Sequence, residues 1–167
     1  MPTYTALTIG PIYQTIQGAR STRAIWAASF LFSCVIEKIA NHQDIEPHLE
    51  GQDTKTDIKE LKAGLFPDRL IIKGKSLQEV ETVCKSVLDD LWEKFQAVGI
   101  AKEGDTNPLK DFIQISIVEA DSSQIEGNVM SYLHQLLDTT ELQPFFNNTV
   151  KNPLEQLSKK LKEVAEE

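Results

Sequence analysis

The sequence predicts an α+β fold, a ferredoxin-like βαββαβ sandwich with a C-terminal helical extension. Three observations support this prediction. Short strand-like segments alternate with longer segments whose apolar residues recur every three or four positions. One long segment, residues 76–99, has both a helix start signal and a stop signal. The length of 167 residues suits one domain. We therefore assign residues 1–121 to the ferredoxin-like part and residues 122–167 to the helical extension, packed on or beside it.

The chain opens with a predicted strand and a short helix. Residues 5–9 are mostly apolar and have strand composition. Gly10 and Pro11 end the strand, and Pro11 suits the first position of a following helix. Gly18 interrupts that helix, so it must be brief.

A second helix and a weak second strand follow. From Ser21 onward apolar residues recur with helical spacing, and Ser21 or Thr22 would cap the helix. The segment is so apolar that we expect it to be buried on nearly all sides. Residues 45–49 fit an extended piece, and if they form only a loop, a three-stranded βαβαβ sheet is the alternative. Residues 55–62 fit one or two helical turns.

The clearest predicted element is a long helix after a third strand. Residues 69–74 read as a compact strand bounded by turn residues. Ser76 and Glu79 then form a capping box, in which each side chain accepts a backbone N–H of the other residue. Three-four spacing of apolar residues continues to Gly99, which predicts a left-handed stop. Residues 100–110 are expected to be a polar loop.

The last part of the chain predicts one more strand and two helices. Residues 112–118 alternate isoleucines with shorter or polar side chains, as in a strand with one face better buried. A second capping box, Ser123 to Glu126, is expected to open a helix that Pro144 ends. A final helix over residues 153–164 carries a small apolar stripe.

Composition and charge exclude several classes of protein. With 41% hydrophobic and 25% charged residues, the chain is neither collagen-like nor largely disordered. The net charge of −8 argues against general coating of nucleic acid, which needs many cationic side chains. Residues 1–41 hold three bases and one acid, net +2, and the other 126 residues carry 14 bases and 24 acids, net −10. The N-terminal segment is therefore the part expected to face anions.

Groups that could perform catalysis are scarce. The two cysteines, Cys34 and Cys84, lie on apolar helix stripes and are expected to be buried free thiols. Asp89 and Asp90 form an acidic pair, but they lie mid-helix, opposite the apolar stripe, and are expected to be a solvated face. Three single histidines are expected to have surface or capping roles: His42, His48 and His134.

The most informative stretch spans residues 7–29. Gly10 and Pro11 directly after a strand would expose backbone amides at a helix start, where an anion is readily held. Arg20 and Arg23 lie three residues apart and would project from one side of a helix as a small cationic patch. From the residues alone, a tight turn with two solvated arginines is the favoured interpretation, and the anion site is the alternative.

This stretch resembles the motif that opens the first palm-like domain of the large, polymerase/cyclase-like subunit of type III CRISPR effector complexes, most closely the Cmr (III-B) branch. That motif reads I-G-P-V-Q-x-F-I followed by A-R-x-T-R-D-L-W-A-G-S. Residues 65–69 also resemble the F-P-N-R strand start of the family, and the helix containing Trp92 has a counterpart there. The second half of the motif is matched at seven positions: Ala19, Arg20, Thr22, Arg23, Trp26, Ala27 and Ser29.

The sequence also departs from the family pattern. Tyr13 stands where the family has Gln, and Gln14 falls one place later. Ala24 replaces an acid, and Ala28 replaces a glycine. The Gly-Gly-Asp-Asp signature of the second palm, the His-Asp nuclease motif and the zinc-binding cysteines are missing. We therefore expect this chain to be the front portion of a larger subunit, either cut or encoded by a split gene.

The resemblance implies a function in RNA-guided antiviral defence. In the family, the complete subunit binds ATP with Mg²⁺ between two palms and makes cyclic oligoadenylate or a related messenger. Here the first palm is expected to line the nucleotide site without metal carboxylates of its own, so that this chain alone is not an enzyme and holds no cofactor. The nucleotide-side candidates are Thr8, Gly10, Pro11 and Gln14. Arg20 and Arg23 are the candidates for contact with a phosphate, RNA or a neighbouring acidic subunit. The expected partners are the second palm, the other effector subunits, and guide and target RNA.

Two other classes of function remain open at this point. A free-standing ferredoxin-like interaction module would dock a partner through the apolar stripe of the last helix. A small cyclase-type nucleotide enzyme is disfavoured, because the first strand has no acids. The chain has no apolar run of about 18 residues and no signal-peptide pattern at its start, so the expected compartment is the cytoplasm and no membrane contact is expected.

Overall fold

A computed structural model describes residues 3–47, 67–99, 106–125 and 127–141, and within these ranges it has the predicted α+β character. The described ranges contain a small three-stranded antiparallel sheet and five α-helices. The elements in chain order are β1 (Thr3–Gly10), α1 (Ile12–Gly18), α2 (Thr22–Ala40), β2 (Arg69–Lys73), α3 (Leu77–Ala97), α4 (Leu109–Phe112), β3 (Gln114–Asp121), a 3₁₀ turn (Ser122–Gln124) and α5 (Val129–Glu141).

The sheet has the strand order β2-β1-β3, and β1 pairs antiparallel with both neighbours. Leu7 at the centre of β1 lies opposite Leu70 on β2 and Ile117 on β3. At the outer edge of β2, Pro47 forms an isolated antiparallel bridge with Ile72. A weak strand was predicted over residues 45–49. The described part of that segment ends at Pro47, and this bridge is the strand pairing found there. All these pairings are antiparallel.

Alternation along the strands divides the core into two clusters, one on each face of the sheet. On the first face, Leu7 and Ile9 pack with Leu70, Ile72 and the apolar stripes of α2 and α3. On the second face, α5 covers the sheet. The buried members of this second cluster are Ala6, Ile71, Ala120, Leu133 and Leu137.

Helix α2 begins with Ser21 as its N-cap, as predicted, but the expectation that it is buried on nearly all sides is wrong. One stripe, from Ala28 to Ile39, faces the core. The opposite side exposes large apolar residues, among them Trp26 and Phe30. The reason is geometric: α2 packs on the sheet, on α1 and on α3, and the part of its circumference that none of these reaches faces solvent.

Helix α3 confirms its predicted start and stop. The Ser76 hydroxyl accepts the Glu79 backbone N–H at 3.3 Å, and the Glu79 carboxylate accepts the Ser76 backbone N–H at 2.9 Å. Gly99 has a φ of 77°, in the left-handed region that favours glycine. The ionised carboxylate is strongly favoured here. The backbone N–H of Ser76 and then the Lys75 ammonium hold the pKa of Glu79 at about 2, below its ordinary 4.5.

The capping box gives a pH-dependent prediction. We expect Glu79→Ala to destabilise the fold at neutral pH, and Ser76→Ala to cost about 1 kcal/mol. A carboxyl whose pKa is depressed by folding stabilises the protein above its unfolded pKa, and loses that effect as the pH falls through the folded value. The difference between wild type and Glu79→Ala should therefore shrink between pH 4.5 and about 2. Urea unfolding at several pH values measures this, with Glu93→Ala on the same helix as the control. A difference that stays constant over this interval would contradict the prediction.

Strand β3 begins later than predicted. The sequence assigned Phe112 to the strand, but Phe112 is buried at the end of the short helix α4. The centroid of its ring lies 6.0 Å from that of Phe32. The Asn107 side chain accepts the Leu109 backbone N–H at 3.0 Å, which starts this turn inside the predicted loop. Burial of Leu109 and Phe112 in the first core cluster outweighs the strand propensity of the segment.

The second predicted capping box is also wrong. The backbone N–H of Ser123 donates to Asp121 at 2.9 Å, and Ser123 lies in the 3₁₀ turn. Helix α5 begins at Val129 instead, where the Asn128 side chain accepts the Met130 backbone N–H at 2.8 Å. The helical turns predicted for residues 55–62, the break at Pro144 and the last helix over residues 153–164 lie outside the described residues. No helix in the described ranges is long and apolar enough to cross a bilayer.

Candidate functional site

The turn between β1 and α1 carries the predicted nucleotide-side residues. Gly10 is the last residue of β1 and lies opposite Gln114, and the Gly10–Pro11 peptide bond is cis. Pro11 is the N-cap residue of α1, whereas the sequence predicted it at the first helical position. Its carbonyl accepts two hydrogen bonds from Thr15, from the backbone N–H at 3.2 Å and from the hydroxyl at 2.5 Å. The buried Thr15 thereby fixes the first turn of α1 and leaves Gln14 exposed.

The surroundings of Gly10 are open. A Cβ added there would meet the backbone nitrogen of Ile12 at 3.9 Å, an ordinary van der Waals contact. Packing within the described residues therefore does not demand a glycine at this position. The exposed part of the predicted site consists of Gln14 and the backbone around Gly10.

Thr8, by contrast, is enclosed. It lies opposite Arg69 on β2 and Ser116 on β3, on the sheet face that α5 covers, and its side chain is only 4% exposed. The Arg69 guanidinium donates to Asp138 of α5 at 2.6 Å. The structure therefore separates Thr8 from Gln14 and places it in a polar row that α5 closes.

This row was not identified from the sequence. The Arg69 guanidinium also lies 3.4 Å from Nδ1 of His134, so that two residues of α5 hold it. The row joins residues from three strands and a helix, and only the strand register brings them together. A local pattern carries no signal for such a register.

Arg20 and Arg23 are both exposed, but they do not share one side of a helix as predicted. Helix α2 starts at Thr22, so Arg23 lies in its first turn and Arg20 lies in the connection from α1. Between them, the Ser21 hydroxyl accepts the Ala24 backbone N–H at 3.2 Å. This cap fixes the start of α2. The two arginines are therefore close in sequence, but Arg20 belongs to the connection and Arg23 to the helix.

Neither Arg20 nor Arg23 forms an ion pair or hydrogen bond with another residue of the described ranges. The third arginine of the chain, Arg69, is held by Asp138. No acidic residue precedes Glu37 in the sequence. Within the described residues, the charges of Arg20 and Arg23 are therefore not engaged by another side chain, unlike that of Arg69.

An exposed aromatic pair continues the side of α2 that Arg23 begins. Trp26 and Phe30 follow Arg23 at three and seven positions, which places all three residues on one side of the helix. The two rings stack with centroids 5.1 Å apart and planes 20° apart. This exposed side of α2 was not predicted from the sequence, although the three-four spacing of the three residues indicates it.

The acidic pair in α3 has a structural role at Asp89. Its carboxylate accepts hydrogen bonds from the Lys110 ammonium at 2.7 Å and from the Asn107 side chain at 3.1 Å. These donors, Lys110 first, lower the pKa of Asp89 below its ordinary value. Asp89 therefore ties α3 to the segment that starts α4, and Asp90 is exposed as predicted. No three side chains of His, Cys, Asp or Glu come together as metal ligands in the described part of the chain.

The two cysteines are free thiols, and His42 has a hydrogen bond within its own turn. Cys84 is a buried free thiol, as predicted, and burial raises its pKa to about 12. Cys34 is a free thiol that is only half-buried, and burial raises its pKa above the ordinary value. The ring of His42 accepts the Asp44 backbone N–H at 3.3 Å, a capping role as predicted. His48 lies outside the described residues.

Comparison with known protein families shows which family this segment matches. The family described as CRISPR-associated protein Cmr2, N-terminal, matches residues 4–99, more than half of the chain. The matched region contains β1, α1, α2, β2 and α3, and with them the β1–α1 turn, both exposed arginines and the aromatic pair. No curated protein matches the chain.

Proposed function

The chain belongs to the family of the N-terminal region of Cmr2, the large subunit of type III-B CRISPR effector complexes, and from this premise we propose that it forms the first palm-like domain of such a subunit. In that role it contributes one wall of the ATP site and a docking surface in RNA-guided antiviral defence. The observation that carries the proposal is the family match over the segment that holds the β1–α1 turn and the two exposed arginines, Arg20 and Arg23.

The strand pairing supports the palm-like arrangement. In a βαββαβ sheet the first strand lies between the third and fourth strands and is antiparallel to both. Here β1 lies between β2 and β3 with both pairs antiparallel. The second strand of such a sheet would lie outside β2, on the side where Pro47 bridges Ile72.

The residues of the turn fit part of an ATP molecule. Gln14 offers an exposed amide, and the open space beside Gly10 lets a ligand approach the backbone. Pro11 has no N–H and contributes shape rather than a hydrogen bond. Thr8 has the smallest role, because its side chain is buried on the face that α5 covers. The bound nucleotide would supply the reacting phosphates, and this wall would orient them.

The turn does not fit a magnesium ion. Magnesium sites use carboxylate oxygens, residues 1–36 contain no acid, and Asp68 is not grouped with two further candidate ligands in the described part of the chain. We assign the metal carboxylates of the complete subunit to its second palm and expect this chain alone to be without catalytic activity. ATP and magnesium are cofactors of the complete subunit in this proposal, and the cytoplasm is its site of action.

The docking surface is assigned to Arg20 and Arg23, for contact with a phosphate, RNA or a neighbouring acidic subunit. In the complete effector complex, we expect Arg20→Ala with Arg23→Ala to lower messenger synthesis or subunit assembly at least tenfold, because each lost charge-assisted hydrogen bond is worth about 1.5–3 kcal/mol. Lys85→Ala with Lys94→Ala, which removes the same charge from exposed positions on α3, is the matched control.

Both quantities are measured on complexes whose variant chains show the wild-type unfolding temperature. Unchanged messenger synthesis together with unchanged assembly would refute the role given to the two arginines. The purified chain alone, incubated with ATP and magnesium, serves as the negative control. Turnover there above a heat-killed sample would refute the assignment of the chemistry to the second palm.

A further inference from the structure

The exposed side of α2 carries an aromatic surface that the fold does not use. The Trp26 side chain is 65% exposed and that of Phe30 39%. Their rings stack nearly parallel, at 5.1 Å and 20°, so that each ring covers part of its neighbour and the remainder faces solvent. An exposed apolar patch of this kind on a folded domain commonly marks a binding surface.

The charge around these rings favours an anionic ligand. Arg23 lies one turn before Trp26 on the same side of α2, and Arg20 lies just before the helix. Both are exposed, and neither has an ionic partner among the described residues. The rest of the chain beyond residue 41 carries a net charge of −10, so this region differs from it in sign.

The spacing and the neighbouring side chains suit a single strand of nucleic acid. Trp26 lies three positions after Arg23, which is a rise of roughly 4.5 Å along the helix axis. The rise per nucleotide along one stacked strand is of similar size, about 3.4 Å. Single-stranded binding surfaces combine these two components, aromatic rings that stack on bases and cations that contact phosphates. Thr22 and Ser29, at four positions before and three after Trp26, are exposed on the same side and can hydrogen-bond a 2′-hydroxyl.

We propose that Trp26 and Phe30, with Arg20 and Arg23, form a surface that binds single-stranded RNA, a base stacking on Trp26 and its neighbouring phosphates pairing with the arginines. This surface is called the α2 stacking surface below. The inference deepens the docking part of the proposed function and rests on it, but its ligand class comes from the ring geometry, the exposed guanidinium groups and the flanking hydroxyls.

The test uses the full chain and a fluorescently labelled oligouridine of about ten nucleotides, with binding followed by anisotropy at low salt. We expect Trp26→Ala to weaken binding roughly 5- to 100-fold, the loss of one stacked base. Tyr132→Ala, which removes an exposed aromatic from α5, should leave binding unchanged. Trp26→Tyr should restore most of the affinity, because a tyrosine ring also stacks.

The salt dependence tests the arginines separately. For single strands each phosphate contact contributes about 0.7 to the slope of log affinity against log salt. Arg20→Ala with Arg23→Ala should therefore reduce that slope by about 1.4, whereas Lys85→Ala with Lys94→Ala should not change it. An oligothymidine of the same length should bind more weakly, because it lacks the 2′-hydroxyl.

Three results would overturn the inference. These are undetectable RNA binding by the wild-type chain, equal binding by Trp26→Ala and wild type, and equal affinity for the RNA and DNA strands. If the chain fails to bind RNA while Trp26→Ala impairs assembly with other effector subunits, the α2 stacking surface is a protein interface. Messenger synthesis by the complete complex reports on the proposed function independently, so its dependence on Arg20 and Arg23 would survive a failure of RNA binding.

Discussion

Replacing Leu133 by alanine should lower the free energy of unfolding of the whole chain by about 2–5 kcal/mol. Leu133 of α5 is fully buried, and it packs with Ala6, Ile71 and Ala120 on the second face of the sheet. Truncation removes buried methyl groups and leaves a cavity between α5 and the sheet. Because a domain is stable by only about 5–15 kcal/mol, this change takes a large share of the total. Urea unfolding followed by circular dichroism measures it.

The same experiment tests whether the C-terminal helical extension is part of the folding unit. Tyr132→Ala, at a neighbouring position that is 42% exposed, is the matched control and should change stability by less than about 0.5 kcal/mol. If α5 belongs to the cooperative unit, Leu133→Ala shifts one transition and leaves it a single step. A separate early transition, with the main one unmoved, would show that residues 122–167 fold independently of residues 1–121.

The elements that could be predicted from the sequence are those whose signals are local. Helix α3 has a capping box at Ser76 and Glu79, an uninterrupted apolar stripe and a stop at Gly99, and each acts within a few residues. The opening β1–α1 turn is likewise marked by adjacent Gly10 and Pro11. Such signals fix backbone conformation without reference to the rest of the chain, so they are visible before the fold is known.

The elements that could not be predicted depend on distant residues. Phe112 has strand propensity, yet its contact with Phe32 places it in a buried helical turn. Thr8 appeared available at the end of a strand, and only the register with Arg69 and the position of α5 show that it is enclosed. Local signals in the sequence thus indicate the turn that leaves Gln14 exposed, but they do not indicate that Thr8 is buried.

Helix α2 shows the limit of composition as a guide. Its apolar residues are distributed around most of the helix, which suggested burial on nearly all sides. Which side is buried depends on the neighbours that the fold supplies, and in the described residues the sheet, α1 and α3 pack against α2 and leave its other side exposed. The large side chains left on the other side, Trp26 and Phe30, are the ones that are free to act on a ligand.

Two substitutions in α2 should therefore have opposite consequences. We expect Ile36→Ala to lower the free energy of unfolding by about 2–5 kcal/mol, because Ile36 is fully buried in the first core cluster. Trp26→Ala removes a larger side chain but should cost no more than about 1.5 kcal/mol, since it loses mainly its stacking on Phe30. Chemical denaturation of both variants measures the contrast, with Phe30→Ala as a second surface variant.

This contrast decides how a loss of RNA binding is to be interpreted. If Trp26→Ala keeps the wild-type stability within that margin, its effect on RNA affinity reports on the α2 stacking surface and not on unfolding. A destabilisation by Trp26→Ala as large as that by Ile36→Ala would instead place Trp26 in the packed core of the full chain, and the ring would then be unavailable to a base. A small stability cost for Trp26→Ala is therefore the result that a binding function for this exposed aromatic side chain requires.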